Sequence, residues 1–151
     1  TTTTAPSPKS FLEGMIHLLQ GDKTKAQAEL EHARVISEKL VREAPGDSAR
    51  HGQHGVILAM LGQKEEAIAE GKRAVELLPE SEDALDGPQG TAALAQIYAW
   101  TGESDEAFRL LDHLFAIPNS LTIPIFKLDP VWDPLRKDPR YQALIDKYSR
   151  E

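Results

Sequence analysis

The residues with which this chain could do chemistry are 24 carboxylates, 17 basic side chains and 5 histidines, and there is no cysteine among its 151 residues. Without a thiol, disulfides, thiolate catalysis, iron–sulfur clusters and thiolate zinc sites are all excluded. His51 and His54 stand three residues apart, a spacing that puts two imidazoles on one face of a helix. Such a pair can hold zinc or nickel, with His17 as a third ring able to approach it. The competing reading is that these rings are half-buried packing residues bonded to their neighbours. The sequence favours it, because no carboxylate or supporting partner accompanies the pair. The acidic clusters Glu65-Glu66, residues 80–86 and Asp105-Glu106 raise the question of acid–base catalysis. They crowd the first turns of expected helices, where negative charge suits the helix dipole, and they read as solvated helix starts. His32 and His113 read as solvated on outward-looking turns. There is no phosphate-binding loop, no glycine-rich dinucleotide turn and no nucleophile elbow. The expectation is a protein that is not an enzyme and carries no cofactor.

Charge narrows the partners. The net charge is −7 and its distribution is uneven. Residues 1–50 are neutral, residues 51–100 carry 3 basic against 8 acidic groups, and residues 101–151 carry 7 against 9. A nucleic-acid or anionic-membrane binder needs a basic face, so neither is expected. No apolar run approaches the ~18 residues of a membrane span. The opening TTTTAPSPKS lacks the basic start and apolar centre of a signal peptide. Residues 1–9 read as a linker or tail, in keeping with a domain of a longer protein, and residues 10–151 as one folded domain. Nothing in the sequence assigns a compartment.

The elements that must position any site are helices. Ala26, Leu30, Ala33, Leu40 and Ala44 recur at helical spacing, as do Ala67, Ala74 and Leu78, and Ala107, Leu110, Leu111 and Leu114. Alternation that would suit a strand is confined to residues 121–128. Helix signals then cut the chain. Ser10 and Glu13 make a capping-box pattern, Gly21-Asp22 ends one helix and caps the next, and Pro45-Gly46-Asp47-Ser48 breaks and restarts the chain. Gly62, Pro79, Gly102 and Pro118 close further helices, and Asp86-Gly87-Pro88 opens one. Helices are expected near 10–20, 23–44, 48–61, 63–78, 88–101 and 103–116. Asp129-Pro130, Asp133-Pro134 and Asp138-Pro139 each pair an N-cap carboxylate with a proline suited to a first turn. They predict short turns and a last helix near 139–149. Trp132, Leu135, Tyr141, Leu144 and Ile145 would then seal an open apolar end, and the alternative for Trp132 is a ring that stacks on a ligand.

Three segments align: QGDKTKAQAELEHA, LGQKEEAIAEGKRA and TGESDEAFRLLDHL. Each has glycine at a helix junction (Gly21, Gly62, Gly102) and alanine five residues later (Ala26, Ala67, Ala107). The offsets are 41 and 40 residues, which predicts stacked two-helix units. The second segment resembles the tetratricopeptide repeat, with Gly55, Ala67, Ala74 and Pro79 at signature positions. Leu94, Ala95, Tyr98 and Ala107 match in the third unit, Ala26 and Ala33 in the first. His51, His54 and Gly71 depart from the pattern, and His17 stands where tyrosine is usual. Residues 50–148, with Asp86-Gly87-Pro88, Ile97-Tyr98 and LDPVWDPLRKDPRYQALI, are similar to a C-terminal tetratricopeptide region of bacterial multidomain signalling proteins, where it follows a kinase, a cyclase or a winged-helix regulator.

The resemblance implies an all-α solenoid of three helical hairpins with a C-terminal helical cap. It implies a non-catalytic module that binds a protein or peptide in a concave groove. Its groove positions fall on Phe11, Leu12, Met15 and Leu19, on Gln53, Val56 and Met60, and on Ala93, Gln96 and Trp100, with Phe11, Met60 and Trp100 as anchors. These lack the basic and amide set that clamps a peptide carboxylate, so an apolar groove is expected. FLEGMIHLLQ is apolar almost all round, more than one neighbour would bury, which also suits homo-oligomerisation through the first helix. The N-terminal tail or the IPIF segment is a further candidate occupant of the groove.

Overall fold

A computed structural model describes residues 8–149. Six longer helices come first: α1 Lys9–Leu19, α2 Lys23–Glu43, α3 Ser48–Met60, α4 Lys64–Leu77, α5 Gly87–Trp100 and α6 Ser104–Ala116. A short α7, Ile123–Leu128, a 3₁₀-helix, Pro130–Leu135, and α8, Pro139–Tyr148, complete the chain. No strand occurs among the described residues. Most of the alternating segment, Ile123–Leu128, is helical instead, because Thr122 caps it by accepting from the Ile125 N–H and Pro124 fits the first turn.

The turns inside the helix pairs share one geometry. Gly21, Gly62 and Gly102 have φ of 76°, 82° and 80°. This left-handed region suits glycine, which has no Cβ to clash. The next residue donates back across each turn: Asp22 to the His17 carbonyl, Gln63 to Leu58 and Glu103 to Tyr98, each at 2.9 Å. These bonds take up helix-end carbonyls that would otherwise lack a partner.

Small residues then let the helices close up. Ala26, Ala67 and Ala107 are buried at matching places, as are Ala33 and Ala74. At Gly55 a Cβ would lie 3.1 Å from the Ala67 carbonyl oxygen and 2.6 Å from Ile97 Cδ1, so a side chain there would crowd the α4 backbone and force Ile97 to move. Helices α1 and α2 pack together, as do α3 and α4, and α5 and α6. The first pair meets the second mainly through α2 and α3, whereas α5 packs on both α3 and α4.

The C-terminal segment closes the far end. Trp132, Phe126 and Leu135 are buried in the core cluster. Phe126 sits 5.4 Å from the Trp132 ring, 4.9 Å from Tyr141 and 5.3 Å from Phe115. Burying side chains of this size contributes about 1.5–3 kcal/mol each. Trp132 is thus a cap residue, with no ring face open to a ligand. Arg136 braces the segment by donating to the Lys127 and Asp129 carbonyls and to the Tyr141 hydroxyl. Lys147 and Tyr148 tie α8 to Asp112 of α6, and these bonds hold the Asp112 carboxyl below its ordinary range.

Several caps differ from expectation. The α1 helix begins at Lys9, because the Phe11 N–H already bonds the Pro8 carbonyl. Ser10 therefore lies inside the first turn, buried, and makes no capping box; Glu13 pairs with Lys9 instead. Asp86 makes no cap bond to α5, and the carboxylate ordering that turn is Asp83, which accepts from the Leu85 and Asp86 N–H groups. Asp129 and Asp138 cap as expected, but Asp133 falls within the 3₁₀-helix and accepts from Arg136.

Candidate functional site

The expected groove residues fall into two groups. Met15 and Val56 are buried in the core cluster, while Phe11, Met60 and Trp100 pack against it half-buried. Gln53, Ala93 and Gln96 are also half-buried, and Leu12 and Leu19 are exposed. Val56 holds the helices together and offers nothing to an incoming chain in this conformation, whereas Met15 packs in the core and shows one edge at the surface.

Met15, Leu19 and Trp100 of these line an open cleft. It measures about 280 Å³ and is lined by Met15, Leu18 and Leu19 of α1, Trp100 at the end of α5, and Pro130 and Asp133 of the 3₁₀-helix. Three separate stretches of chain therefore meet around it. Leu18, Pro130 and Asp133 were not among the groove positions implied by the resemblance, which fall on the first helix of each pair and not on the C-terminal segment. The Trp100 indole N–H donates to the Val131 carbonyl at 2.8 Å. That bond fixes the ring and joins α5 to the 3₁₀-helix, so Trp100 is both a cleft wall and a latch. Phe126 of the IPIF segment is buried beneath the cap and does not line the cleft. The N-terminal tail, expected as another occupant, lies largely outside the described residues.

The first helix carries a second feature. Leu12, Ile16 and Leu19, at 55%, 51% and 62% exposure, follow a four-then-three spacing. They form one apolar stripe along α1. Its opposite side is used up, with Gly14 against Leu30 and Met15 in the core.

Four of the five histidines are bonded within the protein, and His32 is exposed as expected. His51 faces two acceptors, Glu70 Oε2 at 2.5 Å from Nδ1 and the Pro45 carbonyl at 2.8 Å from Nε2. His54 Nδ1 lies 2.7 Å from the Ser37 hydroxyl, whose oxygen is also 3.0 Å from the Arg34 carbonyl. Burial holds the His54 ring below its ordinary pKa, against the pull of Glu70 and Glu38, with Arg34 and His51 reinforcing the shift. His17 bonds Gln20 on the exposed side of α1. Among the described residues no group of three or more His, Cys, Asp or Glu is placed to hold a metal ion. Ser37 and His54 have the chemistry of a nucleophile and base, but Ser37 is only 1% exposed and sits between packed helices. A nucleophile must reach its substrate, so this pair reads as a buried polar joint between α2 and α3.

His113, expected in solvent, bonds Glu80 at 2.7 Å. Glu80 also accepts from Thr91, which ties residues 79–86 to α5 and α6. Burial acts to raise the Glu80 carboxyl, but the His113 and Thr91 bonds outweigh it and hold the group below its ordinary range. Among the described residues no helix is long and apolar enough to cross a membrane.

Set against known proteins, the chain matches no family model, no curated protein and no solved structure. A functional reading therefore rests on its own residues and geometry.

Proposed function

We propose that this chain is a non-catalytic protein-interaction module of the tetratricopeptide kind, with three stacked helical hairpins and a C-terminal cap. On this reading it binds a protein or peptide partner in an apolar concave groove. The observation that carries the proposal is the cleft between α1, Trp100 and the 3₁₀-helix, with walls of mixed apolar and polar surface and room for a side chain. The fold reading is supported by the three matched glycine turns and the alanines five residues beyond them. Interaction sites commonly bury a few aromatic or long apolar anchors in such pockets, and Trp100, Met15 and Leu19 supply that surface here.

The test is selection from a displayed library of random peptides about a dozen residues long. Peptides that bind should lose about tenfold or more in affinity against Leu19→Asp, a substitution at an exposed rim position. They should bind Val35→Asp as they bind the unchanged protein, since Val35 is exposed on α2 and does not line the cleft. Selected peptides indifferent to Leu19→Asp overturn the assignment of this cleft.

A second reading is homo-oligomerisation through α1, favoured by the exposed stripe of Leu12, Ile16 and Leu19. An exposed apolar row of this kind suits a helix-to-helix contact. Light scattering of concentrated protein decides it. A concentration-dependent rise in mass that Ile16→Glu abolishes supports this reading, and a strict monomer removes it.

A further inference from the structure

The chemistry of the cleft selects its occupant. Its walls are Met15, Leu18, Leu19, Trp100 and Pro130, and the ionisable side chain lining it is Asp133. The Trp100 N–H is spent on the Val131 carbonyl, so what the indole offers an occupant is ring surface rather than a donor. An aromatic ring attracts a cation over its face, most strongly when the ring is tryptophan. Asp133 is exposed, and Arg136 Nε bonds its Oδ1 at 2.6 Å. Three further guanidinium donors of Arg136 go to the Lys127 and Asp129 carbonyls and the Tyr141 hydroxyl, which anchors that cation to the cap. Asp133 Oδ2 takes no part in that bond. No lining side chain carries a positive charge, so an acidic occupant would meet a carboxylate and find no partner. The chain as a whole, at −7, attracts positive partners and repels negative ones at long range.

Resting on the reading of the cleft as a peptide site, we infer that it takes a lysine or arginine side chain from a basic, apolar-flanked segment of a partner protein. The alkyl stem lies along Leu19 and Trp100, as long basic side chains commonly do on apolar surface, and the charged head reaches Asp133. Adjacent leucine-like residues cover Met15 and Leu18. Arg136 offsets part of the Asp133 charge and the site is open to water, so the preference is moderate. About tenfold for a basic over an acidic residue is the expected size.

The test uses three end-capped peptides, Leu-Lys-Leu, Leu-Gln-Leu and Leu-Glu-Leu, titrated into the whole chain labelled with nitrogen-15. The Trp100 indole N–H and the backbone amides of Leu18 and Leu19 report the cleft. The lysine peptide should shift these signals with a dissociation constant about tenfold below that of the glutamate peptide, with the glutamine peptide between them. Asp133→Asn should bring the three constants together, and the dispersion of its spectrum reports whether it folds. Raising the salt from about 0.05 to about 0.5 M should shrink the lysine-to-glutamate ratio in the unchanged protein, with no variant needed. Equal binding of all three peptides overturns the charge preference and leaves the cleft standing as a peptide site. A preference that survives both Asp133→Asn and high salt overturns the role of Asp133. Absence of any shift at the cleft overturns the inference together with the reading on which it rests.

Discussion

A single buried ring shows how local electrostatics set a global property. His54 lies between α2 and α3, bonded to the Ser37 hydroxyl and 7% exposed. Burial keeps its folded-state pKa below the ordinary histidine value, so the folded protein favours the neutral ring. The unfolded chain then takes up the proton first as pH drops. The stability that the neutral ring contributes is full above about pH 6.5, the ordinary histidine value, and is lost as pH falls through the lower folded value. Chemical denaturation at about pH 7.5 and about pH 5.5 should give a lower midpoint at the acid pH. His54→Gln, which keeps a hydrogen-bonding side chain at this joint but cannot titrate, should flatten the histidine part of that dependence. An equal acid loss in the variant would transfer the effect to other groups.

At the scale of elements, what the sequence made legible was whatever local chemistry decides. Glycine at 21, 62 and 102 was readable as a set of turns because a left-handed turn has few alternatives to glycine, and all three have positive φ. Helix boundaries fell within a residue or two of the prolines and glycines that signal them. The apolar C-terminal residues were readable as a cap because Asp129 and Asp138 each announce a helix start beside a proline. Legibility failed where two local signals competed. Ser10 matched a capping pattern, but Pro8 could begin the helix earlier, and helix position won over side-chain identity. It failed again where partners come from different elements. The separations of 17 positions from Ser37 to His54, 19 from His51 to Glu70 and 31 from Trp100 to Val131 carry no periodic mark. The groove suffered the same way. Equivalent positions on α1, α3 and α5 were assigned from the family resemblance, yet Val56 is core while Leu19 is rim, because depth depends on the neighbouring helix and not on register.

The whole molecule is unevenly knit, and this bears on how the cleft works. Helices α3 to α6 share several faces, and the C-terminal cap adds Phe126, Trp132 and Leu135 to their core. The first pair is joined more lightly. Its main contact runs from α2 to α3, with Met15 reaching the core from α1 and Phe11 and Leu18 packed beside it. Opening free energy follows such differences in packing, and regions with fewer buried contacts exchange their amide hydrogens sooner. Backbone amides of α1 should therefore exchange faster than those of α3 and α5, as read by hydrogen–deuterium exchange. Yet α1 supplies Met15, Leu18 and Leu19 to the cleft, whereas Trp100, Pro130 and Asp133 come from the better-packed half. An occupant of the cleft bridges the two parts and so must stabilise the looser one, because a ligand that binds only the closed form lowers the population of the open form. At a peptide concentration of about ten times its dissociation constant, exchange in α1 should slow by about tenfold while α3 and α5 change little. Uniform slowing across the chain would mean that the first pair opens only when everything opens. No change in α1 would mean that the peptide sits elsewhere than between α1 and Trp100.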